Sequence, residues 1–262
     1  MRFLILAHAG DATAIQVAAR LLQRHPPEDT RLVFLEEIVS ATRWAHTLNG
    51  AKAETILRLR DGTEIRNDQI GIVFNRLQYV HMSQFALSEA VDREYAVMEM
   101  YALLLSWLKA LPCLIVNPLS SANLGGPTHS SLAWQQLAGK AELPTARIRL
   151  TTSLRRYSAS DLIPHPVGPA NLGNVPAWLS APVGEQRTCA FVAGEQVLGD
   201  IPAQLKRGCL KLAALSGYQI LLVNFASAST NGGWMFNGID PCPAVIYGPM
   251  IDAIVSLLEA RS

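Results

Sequence analysis

Along this chain, short apolar runs of strand length alternate with stretches whose apolar residues recur at helical spacing. Phe3 to Ala7 is an unbroken apolar run that predicts a buried strand, and Thr13 to Gln23 predicts a helix. Arg31 to Leu35 predicts the next strand. Ala53 to Leu59 and Thr63 to Ile65 flank Asp61-Gly62, a pair that supplies the positive φ angles of a tight turn, so this stretch predicts a hairpin. Gly71 to Phe74 predicts another buried strand, ending at Asn75-Arg76. A long helix is predicted over Asp92 to Ala110, with Asp92 as its cap and Pro112 beyond its end. Its inward stripe is read as Tyr95, Met98, Ala102, Leu105 and Leu108. Leu114 to Val116 then predicts a strand that stops at Asn117-Pro118.

The second half continues with a helix over Ser130 to Lys140 and a strand through Ile148 and Leu150. Thr188 to Val192 and Gln196 to Leu198 predict a hairpin around Ala193-Gly194-Glu195. A helix over Ile201 to Ser216, strands over Gln219 to Phe225 and Trp234 to Ile239, and a helix over Pro249 to Ala260 follow. Residues 158–183 differ: Pro164, Pro166, Pro169, Pro176 and Pro182 fall in a stretch with little periodicity. They predict a long loop or irregular crossover. The alternation as a whole predicts a layered α/β fold.

Composition narrows the function classes. Half of the residues are hydrophobic and 16% are charged, against roughly 25% charged in ordinary globular chains. Such a chain can bury a large core and keep an apolar face for a partner. The formal charge of +1 gives no field for nucleic acid or an acidic membrane. The opening apolar run is too short to cross a bilayer and lacks a small-residue cleavage site. Cys113, Cys189, Cys209 and Cys242 form no C-x-x-C pair and read as reduced thiols filling space, which fits a cytoplasmic location.

No nucleophile elbow, metal-spaced histidine pair or Walker-type loop is present. Arg76 closes a strand at the edge where α/β sheets place binding sites; it reads as a carboxylate grip or as a surface salt bridge. Asp11, beside His8 and Gly10, holds the same kind of position after the first strand. Gly125, Gly126, Pro127 and His129 make a loop that either approaches a ligand or simply connects. Arg147, Arg149, Arg155 and Arg156 read as a grip for an acidic peptide or as a solvated face. Trp234 and Phe236 share one strand face and read mainly as core.

Three blocks taken together resemble the ATP-grasp carboxylate–amine ligases that modify peptides. That group includes the ligases adding glutamate to ribosomal proteins and the maturases closing ester and amide rings in cyanobacterial peptides. The first block is Asp92-Arg93-Glu94-Tyr95 with its helix, leading to Ile115-Val116-Asn117-Pro118. The second is Leu132 to Thr145, ending in Leu143-Pro144-Thr145. The third comprises Thr188 to Leu198, then Leu222-Val223-Asn224-Phe225, then Trp234-Met235-Phe236-Asn237-Gly238-Ile239-Asp240-Pro241. The blocks keep the family's order over nearly the whole chain.

The resemblance implies a Rossmann-like pre-ATP-grasp α/β domain over 1–118, followed by a reduced ATP-grasp α+β domain over 119–262. It also implies where magnesium and phosphate ligands belong, and several are absent. Asn224 stands where the family carries an Asp and Gly238 where it carries a Glu, while Asp240 occupies the family's Asn position. Magnesium ions need carboxylate oxygens. Residues 153–183, matching the family's phosphate-covering lobe, contain no Lys and no Gly-x-Gly loop, and the upstream lysine position falls near His129. Phosphates need fixed cations or converging backbone N–H groups.

The sequence therefore reads as a degenerate, truncated ATP-grasp relative without cofactor. Its role would be a non-catalytic binding or accessory subunit in peptide or natural-product (RiPP) modification, with a peptide or protein partner and a homodimeric state. The rival reading is an active ATP- and magnesium-dependent carboxylate–amine ligase in which Asp240, His129 and Arg76 do the electrostatic work. A third is a metal- or ATP-independent enzyme reusing the cleft. Ligand-binding candidates on any reading are Arg76, His129, Arg147, Arg149, Asn224 and Asp240.

Overall fold

The computed structural model describes residues 1–50, 52–120, 123–127, 129–146, 148–151, 163–166, 177–180, 183–228 and 233–262. In chain order the first elements are β1 (Phe3–Ala7), α1 (Ala12–Arg24), β2 (Thr30–Phe34), α2 (Leu35–Val39), β3 (Arg43–Asn49), β4 (Lys52–Arg58), β5 (Glu64–Arg66), β6 (Ile72–Asn75), α3 (Ala90–Lys109) and β7 (Leu114–Val116). There follow α4 (Ser131–Lys140), β8 (Ile148–Thr151), β9 (Ile163–Pro166), β10 (Ala177–Ser180), β11 (Val183–Ala193), β12 (Gln196–Leu198), α5 (Ala203–Ser216), β13 (Ile220–Ala228), β14 (Trp234–Asp240) and α6 (Gly248–Arg261).

A parallel sheet in the order β2-β1-β6-β7 forms the first layer. Strand β1 is buried at every position because both of its faces are covered, as parallel sheets require. Phe3, Ile5 and Ala7 pack with α1 and α6, while Leu4 and Leu6 pack with Leu57 of β4 and with Leu104, Trp107 and Leu108 of α3. Strands β3, β4 and β5 form an antiparallel sheet on that second face. His46 fastens it to α3, its ring nitrogens lying 2.8 Å from Thr55 Oγ1 and 2.9 Å from Ser106 Oγ.

An antiparallel sheet in the order β12-β11-β13-β14 carries α4 and α5 on one face, where Leu205, Cys209 and Leu212 meet Val192, Leu221, Val223 and Phe225. Its other face presents Phe191, Ala193 and Ile220 to α6. Helix α6 is therefore a shared wall between this sheet and the parallel one. No helix among the described residues is long and apolar enough to cross a membrane.

The expected α/β layering is present, with corrections in detail. Asp92 does not cap α3; it lies in the first turn, and Glu89 precedes the helix without a side-chain cap bond. The inward stripe of α3 is Leu104, Trp107 and Leu108, whereas Tyr95 and Met98 are 66% and 65% exposed. Strand β3 was not foreseen, because its residues are half-buried or exposed and carry no apolar run. The supposed irregular stretch 158–183 contains β9 and β10, which join β8 in a three-stranded sheet. Pro164 and Pro166 fit there because β9 is an edge strand, where a missing ladder N–H is tolerated.

Candidate functional site

The carboxyl ends of the parallel strands gather at one edge of the first layer. From β1 the chain goes outward to β2, and it returns to β6 on the opposite side of β1, so the topological switch point falls between the ends of β1 and β6. Asp11 stands on one wall of that crevice and Arg76 on the other. Arg76 Nε donates to Asp11 Oδ2 at 2.7 Å, and Asp11 Oδ1 accepts from the Ala14 N–H at 3.0 Å, capping α1. The two side chains are 7% and 14% exposed, so this ion pair is buried and not a surface bridge.

His8 lies beside them, stacked on Tyr79 with ring centroids 4.4 Å apart, and its Nε2 is buried without a partner among the described residues. Burial pushes the His8 pKa down, opposed by the nearby carboxylates of Glu36 and Asp11.

Next to the crevice a cleft of about 520 Å³ opens between the strand-end loops and the second sheet. Gln78, Tyr79, Asn123, Gly125 to Pro127, His129, Ser131, Trp134, Tyr218 and Ile239 to Pro241 line it. Its floor is aromatic: His129 meets Trp134 edge-on at 4.9 Å, and Trp134 lies 6.0 Å from Tyr218. The Tyr218 hydroxyl, its pKa pushed up to about 12 by burial, stays a donor; it lies 3.2 Å from the Gly125 carbonyl and 3.0 Å from that of Pro127. Gly126 has φ +98°, and a Cβ there would fall 2.7 Å from the Tyr218 hydroxyl and 2.9 Å from the Pro118 carbonyl, so only glycine fits.

On the second sheet, Leu222 pairs with Asp240, Val223 with Ile239 and Phe225 with Phe236. Asn224 alone therefore faces two residues, Asn237 and Gly238. This is a β-bulge, and Gly238 adopts φ +115° within it. Asp240 Oδ1 accepts from the Cys242 N–H at 2.9 Å. Asp240 and His129 thus reach one cleft and Arg76 adjoins it, while Asn224 does not line it. Arg149 is placed by its backbone in β8, opposite Leu179 of β10; Arg147, Arg155 and Arg156 lie outside the described residues.

Sequence reasoning missed Tyr79, Trp134 and Tyr218. Trp134 and Tyr218 sit inside apolar stretches that read as core, and no local signal marks them as cleft walls. Asp11 was noted without a partner, because that partner lies far along the chain.

Solved structures share this fold. The macrocyclase MdnC from Microcystis aeruginosa MRC, bound with precursor peptide MdnA, superposes with a TM-score of 0.76 over 99% of this chain and 100% of its own, at 13% identity. A RiPP-associated ATP-grasp ligase from Chryseobacterium gregarium, in complex with ADP and a leader and core peptide, gives 0.76 over 100% and 98% at 12% identity. The ATP-grasp ligase PsnB, complexed with a phosphomimetic variant of minimal precursor, Mg and ADP, gives 0.70 over 98% of each chain at 16% identity. This chain has the ATP-grasp ligase fold. No family model and no curated protein matches the sequence.

The ATP-grasp fold implies Mg-ATP, and the positions that the resemblance assigns to magnesium offer few anionic oxygens for it. Of Asn224, Gly238 and Asp240 only Asp240 carries a carboxylate, and one of its oxygens already accepts a backbone N–H. Among the described residues no group of three or more His, Cys, Asp or Glu side chains is placed to hold a metal ion.

Proposed function

We propose that this ATP-grasp-fold chain is a non-catalytic binding or accessory subunit in peptide or natural-product modification, receiving a peptide in the cleft beside His129, Trp134 and Tyr218. The bulge at Gly238 carries the reading. Where the resemblance calls for a metal-binding Glu, the backbone holds φ +115°, a conformation suited to glycine, and the neighbouring Asn224 supplies no charge. A triphosphate without cations and acidic anchors is held weakly.

The peptide half of the reading draws support from the relatives in fold that were solved with leader, core or precursor peptides. The rival, an active carboxylate–amine ligase with a minimal nucleotide site, is favoured by the ADP found in two of those relatives and the Mg found in one of them. Calorimetry separates the two: the accessory reading expects no micromolar binding of ATP with magnesium, and such binding would end it.

The reading includes a homodimer. Leu87, Val91, Tyr95 and Met98 leave an exposed apolar stripe at the start of α3, of the kind partners cover. Sedimentation at rising concentration tests this, with Y95E/M98E expected to remain monomeric. A cytoplasmic location belongs to the same proposal and is supported by four cysteines that are free of disulfides.

A further inference from the structure

Strand β3 lies at the edge of its sheet with one side of its backbone unused. The Leu59 N–H donates to the Thr63 carbonyl at 2.9 Å, so the odd-numbered residues of β4 turn their backbone groups toward β5 and the even-numbered ones toward β3. By register, Arg43, Ala45, Thr47 and Asn49 of β3 then bond to Arg58, Ile56, Glu54 and Lys52. The N–H and C=O groups of Trp44, His46 and Leu48 point the other way, along the free edge, without a hydrogen-bond partner among the described residues. The other seven-residue edge strand, β14, is blunted: a bulge at Gly238 breaks its line, and the Pro144 carbonyl takes the Phe236 N–H at 2.7 Å. Strand β3 has no such device. It carries no proline, lysine or acid, and Arg43 stands at its first position.

We infer that this edge joins two copies of the chain, β3 of one copy pairing antiparallel with β3 of the other about a two-fold axis at His46. The strand is self-complementary in that register. Trp44 of each copy stands opposite Leu48 of the other, and His46 opposite His46, each pair exchanging both of its backbone bonds. Trp44, His46 and Leu48 share one strand face, so Leu48, 63% exposed in the single chain, gains an aromatic neighbour. Arg43 falls opposite Asn49, so no like charges meet. The two His46 rings are engaged within their own chains, by Thr55 and Ser106.

The inference rests on the homodimer in the reading above and supplies its register. A strand pair covers less than the roughly 1,200 Å² of a stable interface, and the apolar stripe of α3 supplies further area. Strand β3 packs on that helix through Trp44 and Trp107, whose rings lie 5.7 Å apart. An unrelated extended peptide would meet the same backbone groups without the match of Trp44 to Leu48.

Sedimentation equilibrium and amide hydrogen exchange on the full chain test the pairing, with L48P and L48K as variants. L48P removes an N–H that faces outward, so the chain keeps its own ladder. L48K keeps that N–H and sets a charge beside Trp44 of the other copy, which tests the pairing even where proline disturbs the strand. The wild-type chain is expected to dimerise, with exchange at Trp44, His46 and Leu48 slowing as concentration rises. Folded variants should dissociate about tenfold more readily or beyond. Dimers of unchanged strength in both variants, or exchange at those amides that ignores concentration, overturn the edge pairing and leave the homodimer standing. A wild-type chain that stays monomeric at every concentration removes the homodimer itself, and this pairing with it.

Discussion

Asn117 and Ile220 exchange a reciprocal pair of hydrogen bonds: the Ile220 N–H donates to Asn117 Oδ1 at 2.8 Å, and Asn117 Nδ2 donates to the Ile220 carbonyl at 2.9 Å. The side-chain amide acts as a short extra strand joining the end of β7 to the start of β13. It also accepts from the Gln219 N–H at 3.1 Å and donates to the Pro241 carbonyl at 2.9 Å.

N117A strips partners from several backbone groups at once and should cost about 3 kcal/mol in urea unfolding, given roughly 1–3 kcal/mol for each buried group left unpaired. A loss below about 1 kcal/mol would mean that water replaces the amide without strain.

At Gly238 the backbone, not space, sets the cost of substitution. Nothing lies within 4 Å of an added Cβ, yet φ is +115°. G238A and G238E should therefore destabilise by a similar amount, about 1–3 kcal/mol, the range for residues held in sparsely populated φ/ψ. Thermal melts of both variants check this. If G238E alone is destabilised, side-chain surroundings rather than backbone strain set the cost.

Two sets of ion pairs should respond unequally. Arg20 and Arg24 both meet Asp252, at 2.7 and 2.8 Å, on a surface where the acid is 40% exposed. D252N should cost under about 1 kcal/mol and less still in high salt. R76Q leaves Asp11 buried without its cation and should cost about 3–5 kcal/mol, largely insensitive to salt. Denaturant titrations at two ionic strengths decide; a salt-sensitive R76Q would refute the burial argument.

The pH dependence follows from His8. Its folded-state pKa lies below the ordinary value of 6.5, because burial disfavours the charged ring more than Glu36 and Asp11 favour it. The unfolded chain then binds the proton more readily, so stability falls as pH drops through 6.5 and below, and is restored above it. H8F keeps a ring against Tyr79 and removes the titration, so its stability should fall less steeply over that window. Parallel profiles for both proteins would remove His8 from the account.

What was legible in the sequence follows from what surrounds each element. Strand β1 is apolar at every position because both faces are covered, so composition alone exposed it. Helix α3 is apolar nearly all round, so Tyr95 and Met98 looked as inward as Leu104 and Trp107, and only packing tells them apart. Strand β3 is held by pairing with β4 and by His46, neither of which leaves an apolar run. Arg76 was placed at a strand end by its neighbours, but its partner Asp11 depends on a contact across the sheet. Gly238 was read as an absent ligand, and the structure adds the bulge that makes glycine suit that position.

Helix α6 gives the architecture a consequence for assembly. Ile251, Ile254, Val255 and Leu258 roof the face of β1 that α1 covers only in part, and Arg2 Nε donates to Ser262 Oγ at 2.7 Å. Strand β1 thus waits for helix α6, made far later along the chain, before it is dry on both sides. A nascent chain halted before residue 248 would carry that greasy face open to water, and to whatever chaperone or neighbour reaches it first.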